Sequence, residues 1–179
     1  MQHAGNSGRG SSSEAMAASR LIFNTRCQIA EMFDVWGPEC VAFTSNDTEA
    51  LNIALQGTLH PEEGTIHAIC TEMDHNSVLR PLYRLEKKGM ELTILPADRK
   101  GRISLKELEA AIRPETKVIV CTHASNLTGN LNDIHAIGAI AQKHQKLFIV
   151  DAAQTAGVFP ISMKKDHIDI LCFSGHKGL

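Results

Sequence analysis

Short runs of apolar residues alternate with segments of helical spacing along most of this chain. From residue 41 onward, the apolar runs have the length of buried strands. They predict strands at residues 41–44, 66–70, 92–95, 118–122 and 147–151, followed by two more at 157–161 and 169–173. Strand and helix in regular alternation indicate an α/β fold, with a mostly parallel sheet and helices on both faces.

The segments between these runs carry helix signals. Residues 14–33 place apolar side chains at helical spacing and predict a long amphipathic helix with one buried face. Ser104 and Glu107 form a capping box before another helix, and Pro114 follows as its stop. Capping and glycine signals predict further helices near residues 48–57, 77–89 and 133–145.

Composition narrows the class of protein. With 179 residues, of which 43% are hydrophobic, the chain can bury the core of one ordinary domain. A net charge of −2 and the lack of a basic stripe argue against nucleic-acid binding. The longest apolar runs have only strand length, so we expect no transmembrane segment and no membrane partner.

The N-terminus and the cysteines both suggest a cytoplasmic protein. Residues 1–13 are rich in Gly, Ser and Asn and lack the apolar stretch of a secretory signal, so we expect an irregular segment there. The five cysteines include no CxxC pair, and Cys70, Cys121 and Cys172 lie in apolar runs, which favours reduced thiols. Cys121 and His123 are two potential metal ligands without a third, so no metal site is predicted.

Three positions carry candidate chemistry. Asp151 ends an apolar strand, where a parallel sheet presents residues to ligands, although an aspartate there more often has a structural or generic role. Lys177 follows another apolar run beside His and Gly, which suits an amine held in a crowded pocket as well as a surface lysine. The helix start at Asp47 and Thr48 offers N–H groups to a phosphate, and either residue is equally well explained as a helix cap.

Five linked motifs give the chain a resemblance to a known family. They occupy residues 44–52, 72–77, 122–129, 150–154 and 174–177. In order and spacing they resemble the class V aminotransferases, closest to the cysteine desulfurase and selenocysteine lyase group. The resemblance implies a pyridoxal 5'-phosphate (PLP) enzyme with the large domain of the fold type I transferases. It implies that residues 14–179 are a partial PLP-binding domain whose small C-terminal domain is absent.

The resemblance implies a role for each matching residue around the cofactor ring. Lys177 resembles the lysine that holds PLP as a Schiff base and then moves the substrate proton. Asp151 is similar to the partner of the pyridine nitrogen, and His75 to the histidine that stacks on the ring and acts as acid or base. Gln154 and Asn126 resemble the residues near the phenolic oxygen, with Asn126 also near the substrate carboxylate.

The remaining matches concern the cofactor phosphate. Ser174, His176 and Thr48 are similar to its side-chain contacts, and Asp47 matches a position that contributes through its backbone. Lys177 and His75 are therefore the expected catalytic residues, and all nine residues are expected to bind the cofactor.

The chain also departs from the family pattern. Intact members are roughly twice as long, and this chain stops just after the lysine. Neither the arginine that grips the substrate carboxylate nor the loop cysteine that accepts sulfur has a counterpart here. Ser12 stands where relatives commonly have a histidine. We therefore expect a sequence truncated at both ends, which by itself binds PLP poorly and turns over nothing.

The resemblance implies removal of sulfur or selenium from L-cysteine or L-selenocysteine to give alanine. Its implied partners are a small amino-acid substrate, a sulfur-acceptor protein and a second copy of the full-length chain in a homodimer. Two alternatives stay open: another class V PLP enzyme, such as an aminotransferase, epimerase or lyase, or a non-catalytic fragment of such an enzyme.

Overall fold

The computed structural model describes residues 12–179 and has a strand and helix order close to the predicted one. The helices are α1 (Ser13–Met32), α2 (Asp47–Thr58), α3 (Asn76–Glu86), α4 (Leu105–Ala111) and α5 (Ile134–Lys143). The strands are β1 (His67–Thr71), β2 (Glu91–Leu95), β3 (Thr116–Thr122), β4 (Leu147–Asp151) and β5 (Ile170–Cys172). Short 3₁₀ turns occupy Pro38–Cys40 and Pro61–Glu63.

The strands form one sheet in the order β2-β1-β3-β4-β5, and every neighbouring pair is parallel. All five residues of β1 are buried. Because successive side chains of a strand point to opposite faces, both faces of the sheet are covered at β1. The predicted α/β fold with a parallel sheet is confirmed, and the carboxyl ends of all five strands meet at one edge.

Helices α2 and α3 pack on one face of the sheet through a shared apolar core. From the helices this core takes Leu51, Leu55, Val78 and Leu82, all fully buried. From the strands it takes every second residue, as one face of a pleated sheet requires: Ala68, Cys70, Val118, Val120 and Ile149. This packing fixes the starts of α2 and α3 beside the carboxyl edge of the sheet.

By compactness the chain divides at Phe43. The second unit, Thr44–Leu179, contains the sheet, helices α2 to α5 and every candidate site residue.

In the first unit, Ser12 caps the predicted long helix α1 by accepting the Ala15 N–H. The predicted buried face of α1 is present at Phe33, which is 2% exposed, but is wrong at Leu21 and Ile22, which are 69% and 37% exposed. No helix among residues 12–179 has the length and apolarity needed to cross a bilayer.

Two predicted strands are absent. Residues 41–44 form no ladder, and Phe43 is 51% exposed, so this apolar run has neither a strand partner nor a buried face. Residues 157–161 follow a turn in which the N–H groups of Val158 and Phe159 both donate to the Thr155 carbonyl. These local hydrogen bonds, together with φ of +79° at Gly157, turn the backbone away from an extended course.

Candidate active site

A cavity of about 230 Å³ opens at the carboxyl edge of the sheet. It lies where ligands bind in open parallel sheets, beyond the strand ends. All nine predicted site residues line it: Asp47, Thr48, His75, Asn126, Asp151, Gln154, Ser174, His176 and Lys177. Five further lining residues were not predicted: Asn46, Ser77, Thr122, Ala124 and Ala153.

Asp151 enters the cavity as the last residue of β4 and is 3% exposed. Its backbone carbonyl accepts the His123 N–H at 2.9 Å, and its Oδ1 accepts the Ala153 N–H at 2.9 Å. Burial raises the pKa of this carboxyl, while the Ala153 N–H and the nearby charges of His75 and Lys177 oppose the rise. A buried carboxylate in this position favours a cationic partner.

Lys177 reaches the same cavity from the turn after β5. The turn is closed by a hydrogen bond from the Lys177 N–H to the Ser174 carbonyl at 3.4 Å. Gly157 and Gly178 let this turn approach the one after β4, since a Cβ on Gly157 would lie 2.3 Å from the Gly178 carbonyl oxygen. The amine is exposed to the cavity, and its charge lowers the pKa of Asp151.

His75 has two roles in the structure. It is the N-cap of α3, where Nδ1 accepts the Ser77 N–H at 3.2 Å and lies 2.8 Å from Ser77 Oγ. It also lines the cavity. Because capping engages Nδ1, Nε2 is the ring nitrogen available to a ligand.

Asp74, next to His75, lies outside the cavity lining and is 6% exposed. Its Oδ2 accepts the N–H and the hydroxyl of Thr71 at 2.7 and 2.9 Å, and its Oδ1 accepts the Thr122 N–H. The carboxyl therefore ties the end of β1 to the end of β3 directly behind His75. Burial raises its pKa to about 7, against the lowering effect of those hydrogen bonds.

The start of α2 forms one wall of the cavity. Neither Asp47 nor Thr48 is its cap, because the Asn46 side chain accepts the Glu49 N–H at 2.9 Å. Asp47 and Thr48 are the first two helical residues, and the N–H groups at a helix start have no acceptor within the helix. These N–H groups and the Thr48 hydroxyl are suited to an anion such as phosphate.

Asp47 has an unusual environment for a residue in such a wall. It is 9% exposed, and its Oδ1 is buried and accepts no hydrogen bond from any donor among the described residues. Burial and the charge of Asp151 raise the pKa of Asp47, while the charge of Lys177 lowers it. The Asp47 and Asp151 carboxyls are therefore close enough for each to influence the pKa of the other.

Asn126 and Gln154 extend into the cavity from two loops. In the loop after β3, Ser125 Oγ accepts the N–H groups of Leu127 and Thr128, and this turn carries the exposed Asn126. Gln154 is the third residue after Asp151, in the turn that follows β4. Both residues are exposed and line the cavity, whereas the Asp151 carboxyl in the same lining is buried.

Most residues that sequence reasoning missed have a local signal. Asn46 directly precedes a helix, as N-caps do, and Ser77 belongs to the motif at residues 72–77. Asp74 also lies in that motif, but its role depends on contacts with a distant strand. The donor set as a whole fits a phosphorylated aldehyde with a cationic ring: an amine, a buried carboxyl and an anion-binding helix start around one small space.

Comparison with known proteins agrees with this chemistry. The family model for aminotransferase class-V matches residues 1–179. A cysteine desulfurase IscS of Vibrio atlanticus is 36% identical over 162 residues, which are 90% of this chain and 40% of that protein. A putative cysteine desulfurase IscS 1 of Bacillus subtilis is 36% identical over 159 residues, 88% of this chain and 42% of that protein.

Solved structures show the same relationship. The structure described as SspA in complex with cysteine matches with a TM-score of 0.89 and 32% identity, covering 94% of this chain and 50% of that one. The apo structure of cysteine desulfurase from Thermococcus onnurineus NA1 matches with a TM-score of 0.88 and 33% identity, covering 95% and 42%. This chain therefore spans about 40% of the length of the curated relatives it matches, and it belongs to the class V aminotransferase family.

Proposed function

We propose that this chain is the cofactor-binding half of a PLP-dependent cysteine desulfurase or selenocysteine lyase, which removes sulfur or selenium from its amino-acid substrate and leaves alanine. The observation that carries the proposal is that the Lys177 amine and the buried Asp151 carboxyl line one small cavity. The names of the relatives support the reaction type. A full-length homodimer, a sulfur-acceptor protein and a cytoplasmic location belong to the same proposal.

When bound, PLP supplies an electron-withdrawing ring that accepts the electron pair released at the substrate α carbon. Asp151 would hold the protonated ring nitrogen, because a buried carboxylate stabilises a cation beside it. The N–H groups at the start of α2, with Thr48, Ser174 and His176, would hold the phosphate.

The remaining residues act on the substrate side. Lys177 Nζ would hold the cofactor through its aldehyde carbon and, once displaced by the substrate amine, would move a proton to or from the substrate α carbon. His75 Nε2 is the second group that can hold or release a proton there. Asn126 and Gln154 would orient the phenolic oxygen and the substrate carboxylate through their amides.

Acceptance of sulfur needs a reactive thiol, and the strand cysteines are unsuited to that role. Cys70, Cys121 and Cys172 are buried, and burial raises the pKa of each thiol, that of Cys172 to about 12. A buried thiol with a raised pKa forms little thiolate at neutral pH. The acceptor thiol of the proposed reaction is therefore none of these three.

The proposal is tested by mapping where the cofactor attaches. The full-length protein is incubated with PLP, reduced with borohydride and digested, and the pyridoxyl group is located by mass spectrometry. We expect the label on Lys177, with less than about a tenth of it remaining in Lys177→Arg, because a guanidinium does not form an imine readily. Lys106→Arg, on the exposed side of α4, is the matched control and should label as the wild type does.

Substrate assays on the full-length protein then separate the candidate reactions, because this chain by itself is expected to turn over nothing. Release of sulfide or selenide with alanine from cysteine or selenocysteine supports the proposal. A keto acid formed from other amino acids would indicate the alternative, an aminotransferase that shares this cofactor site. Label on other lysines but not on Lys177 would overturn both.

A further inference from the structure

The carboxyl groups of Asp47 and Asp151 meet inside the cavity. Asp47 is the first residue of α2 and Asp151 the last of β4, and they are 9% and 3% exposed. The two groups are close enough for each to shift the pKa of the other. Two carboxylates cannot hydrogen-bond to each other, because each has only acceptors, whereas a protonated carboxyl can donate to its neighbour.

We propose that Asp47 and Asp151 form a carboxyl pair that holds one proton between them, and that protonated Asp47 is a positioning residue that keeps Asp151 ionised for a cationic ring nitrogen. The first part concerns this chain alone. The second part rests on the proposed function, because it assumes the PLP ring as the cation.

The unpartnered oxygen of Asp47 supports the pair. Its Oδ1 is buried and receives no hydrogen bond from the N–H, amide or hydroxyl donors of the described residues. A buried carboxylate oxygen without a donor is destabilising, because it has given up its hydrogen bonds to water without replacement. A proton held with Asp151 removes that cost.

Helix capping does not account for Asp47. The cap of α2 is Asn46, which already accepts the Glu49 N–H. A charged aspartate in the first turn does stabilise a helix. That effect does not require burial, so it does not explain why Asp47 is buried. The side chain of Asp47 instead lines the cavity together with Asp151.

The surrounding groups decide which carboxyl keeps the proton. Asp151 Oδ1 accepts the Ala153 N–H, which stabilises the ionised form, whereas Asp47 Oδ1 has no donor among the described residues, so the proton belongs on Asp47. Lys177, in the turn after β5, lowers the pKa of both groups, and His75 at the start of α3 lowers that of Asp151. His176 also lines the cavity.

Neighbouring acids act in the other direction. The charge of Asp151 helps to raise the pKa of Asp74, and the charges of Asp47 and Asp151 help to raise that of Cys172. A further negative charge is therefore unfavourable throughout this region, which is what holds a proton on the pair.

A proton on Asp47 also resolves a conflict with phosphate binding. A charged carboxylate at the start of α2 would repel the anion that the helix N–H groups attract. A neutral carboxyl at that position does not repel it, while it can still donate its hydrogen bond to Asp151. The cavity can then bind an anion at the helix start and a cation at Asp151 at the same pH.

The pair itself is tested by ¹³C NMR titration of the assigned aspartate carboxyls in the chain without added cofactor. We expect Asp47 and Asp151 to titrate together, with one step well above the ordinary aspartate pKa of about 3.9. In Asp47→Asn and Asp47→Ala, Asp151 should titrate in one step. That step should lie at lower pH in the Asn variant than in the Ala variant, because the asparagine amide can still donate a hydrogen bond to Asp151. Asp133→Asn, at the exposed N-cap of α5, is the matched control and should leave both steps unchanged.

Independent titration of Asp47 and Asp151, with the Asp151 midpoint unmoved in both variants, would overturn the pair. Amide spectra of each variant check the fold, and the isosteric Asn variant guards against a folding failure of the Ala variant.

The positioning role is tested by the PLP affinity of the full-length protein and its Asp47→Asn variant between pH 6 and pH 9, measured by equilibrium dialysis, because this chain by itself is expected to bind PLP poorly. Above the upper step of the pair, wild-type affinity should fall about tenfold per pH unit relative to Asp47→Asn, because only the wild type must take up a proton. The ratio of the two affinities cancels the ionisation of the cofactor and of Lys177.

The same pH profile in both proteins would overturn the positioning role. Failure of both proteins to bind PLP at any pH would contradict the proposed function and the second half of this inference, while the titration alone decides the pair.

Discussion

The two ends of the parallel sheet both bury polar side chains but satisfy them differently. At the amino end, His67 of β1 is fully buried, with Nδ1 2.7 Å from Thr116 Oγ1 and Nε2 2.8 Å from Thr93 Oγ1. The Thr116 hydroxyl accepts the Arg113 N–H, so its own proton is free for Nδ1, and Nε2–H donates to Thr93. Both ring nitrogens are satisfied by the chain itself.

At the carboxyl end, three carboxyls are buried close together: Asp47, Asp74 and Asp151. Asp74 is satisfied by Thr71 and Thr122, whereas Asp47 Oδ1 finds no donor in the described chain. A buried polar group that the protein satisfies stabilises the fold, and one that it leaves unsatisfied marks a place for a ligand or a proton. We therefore interpret the polar groups of the amino end, and Asp74 at the carboxyl end, as structural, whereas Asp47 and Asp151 belong to the proposed site.

Replacing Asp74 by alanine should give the largest loss of stability. The change leaves two buried N–H groups and a hydroxyl without their acceptor, which should lower the free energy of unfolding by about 3 kcal/mol. Urea unfolding at pH 7 measures the loss. Asp98→Ala, which removes an exposed carboxyl with a similar set of local donors, should lose clearly less. Equal losses in the two variants would show that the tie between β1 and β3 contributes little.

Replacing His67 by leucine should lower the free energy of unfolding by a smaller amount, about 2 kcal/mol, because the buried Thr116 hydroxyl and the half-buried Thr93 hydroxyl lose their partner while the volume is kept. The second change Thr93→Val should recover part of that loss, since it removes one unpaired hydroxyl. Urea unfolding of the two single variants and the double variant forms the cycle. If the losses in unfolding free energy of the two single variants simply add in the double variant, His67 and Thr93 are not coupled.

Replacing Asp47 by asparagine should have the smallest effect and the opposite sign. An acid with a raised pKa in the folded state holds its proton more tightly there, so its stabilisation is full below the unfolded pKa and is lost as the pH rises toward the folded value. We therefore expect Asp47→Asn to raise the free energy of unfolding by about 1 kcal/mol at pH 8 and to leave it unchanged at pH 4. Residues of functional sites often cost stability in this way.

Thermal unfolding at the two pH values measures this gain, and Asp133→Asn is the control for loss of one charge at a helix start. If the gain in stability is the same at both pH values, it does not come from the protonated carboxyl pair, and this prediction is wrong.

The sequence by itself determined the local elements and the chemical inventory. Apolar periodicity located five strands and the helices between them, because side-chain alternation is a property of each segment. Ser104 indicated the start of α4, and in the structure it accepts the Glu107 N–H at 3.3 Å. The five motifs also identified the family, since order and spacing survive where overall identity is modest.

Tertiary structure decided which segments pair and which side chains meet. Residues 41–44 and 157–161 have strand-like composition, but a strand exists only where a neighbour supplies hydrogen bonds, and composition does not reveal neighbours. In the same way, Asp74 bridging two strands and Asp47 facing Asp151 depend on contacts between residues far apart in the chain. The sequence identified Asp47 and Asp151 as candidates, but only the folded sheet, whose carboxyl edge lies beside the start of α2, brings their carboxyls close together.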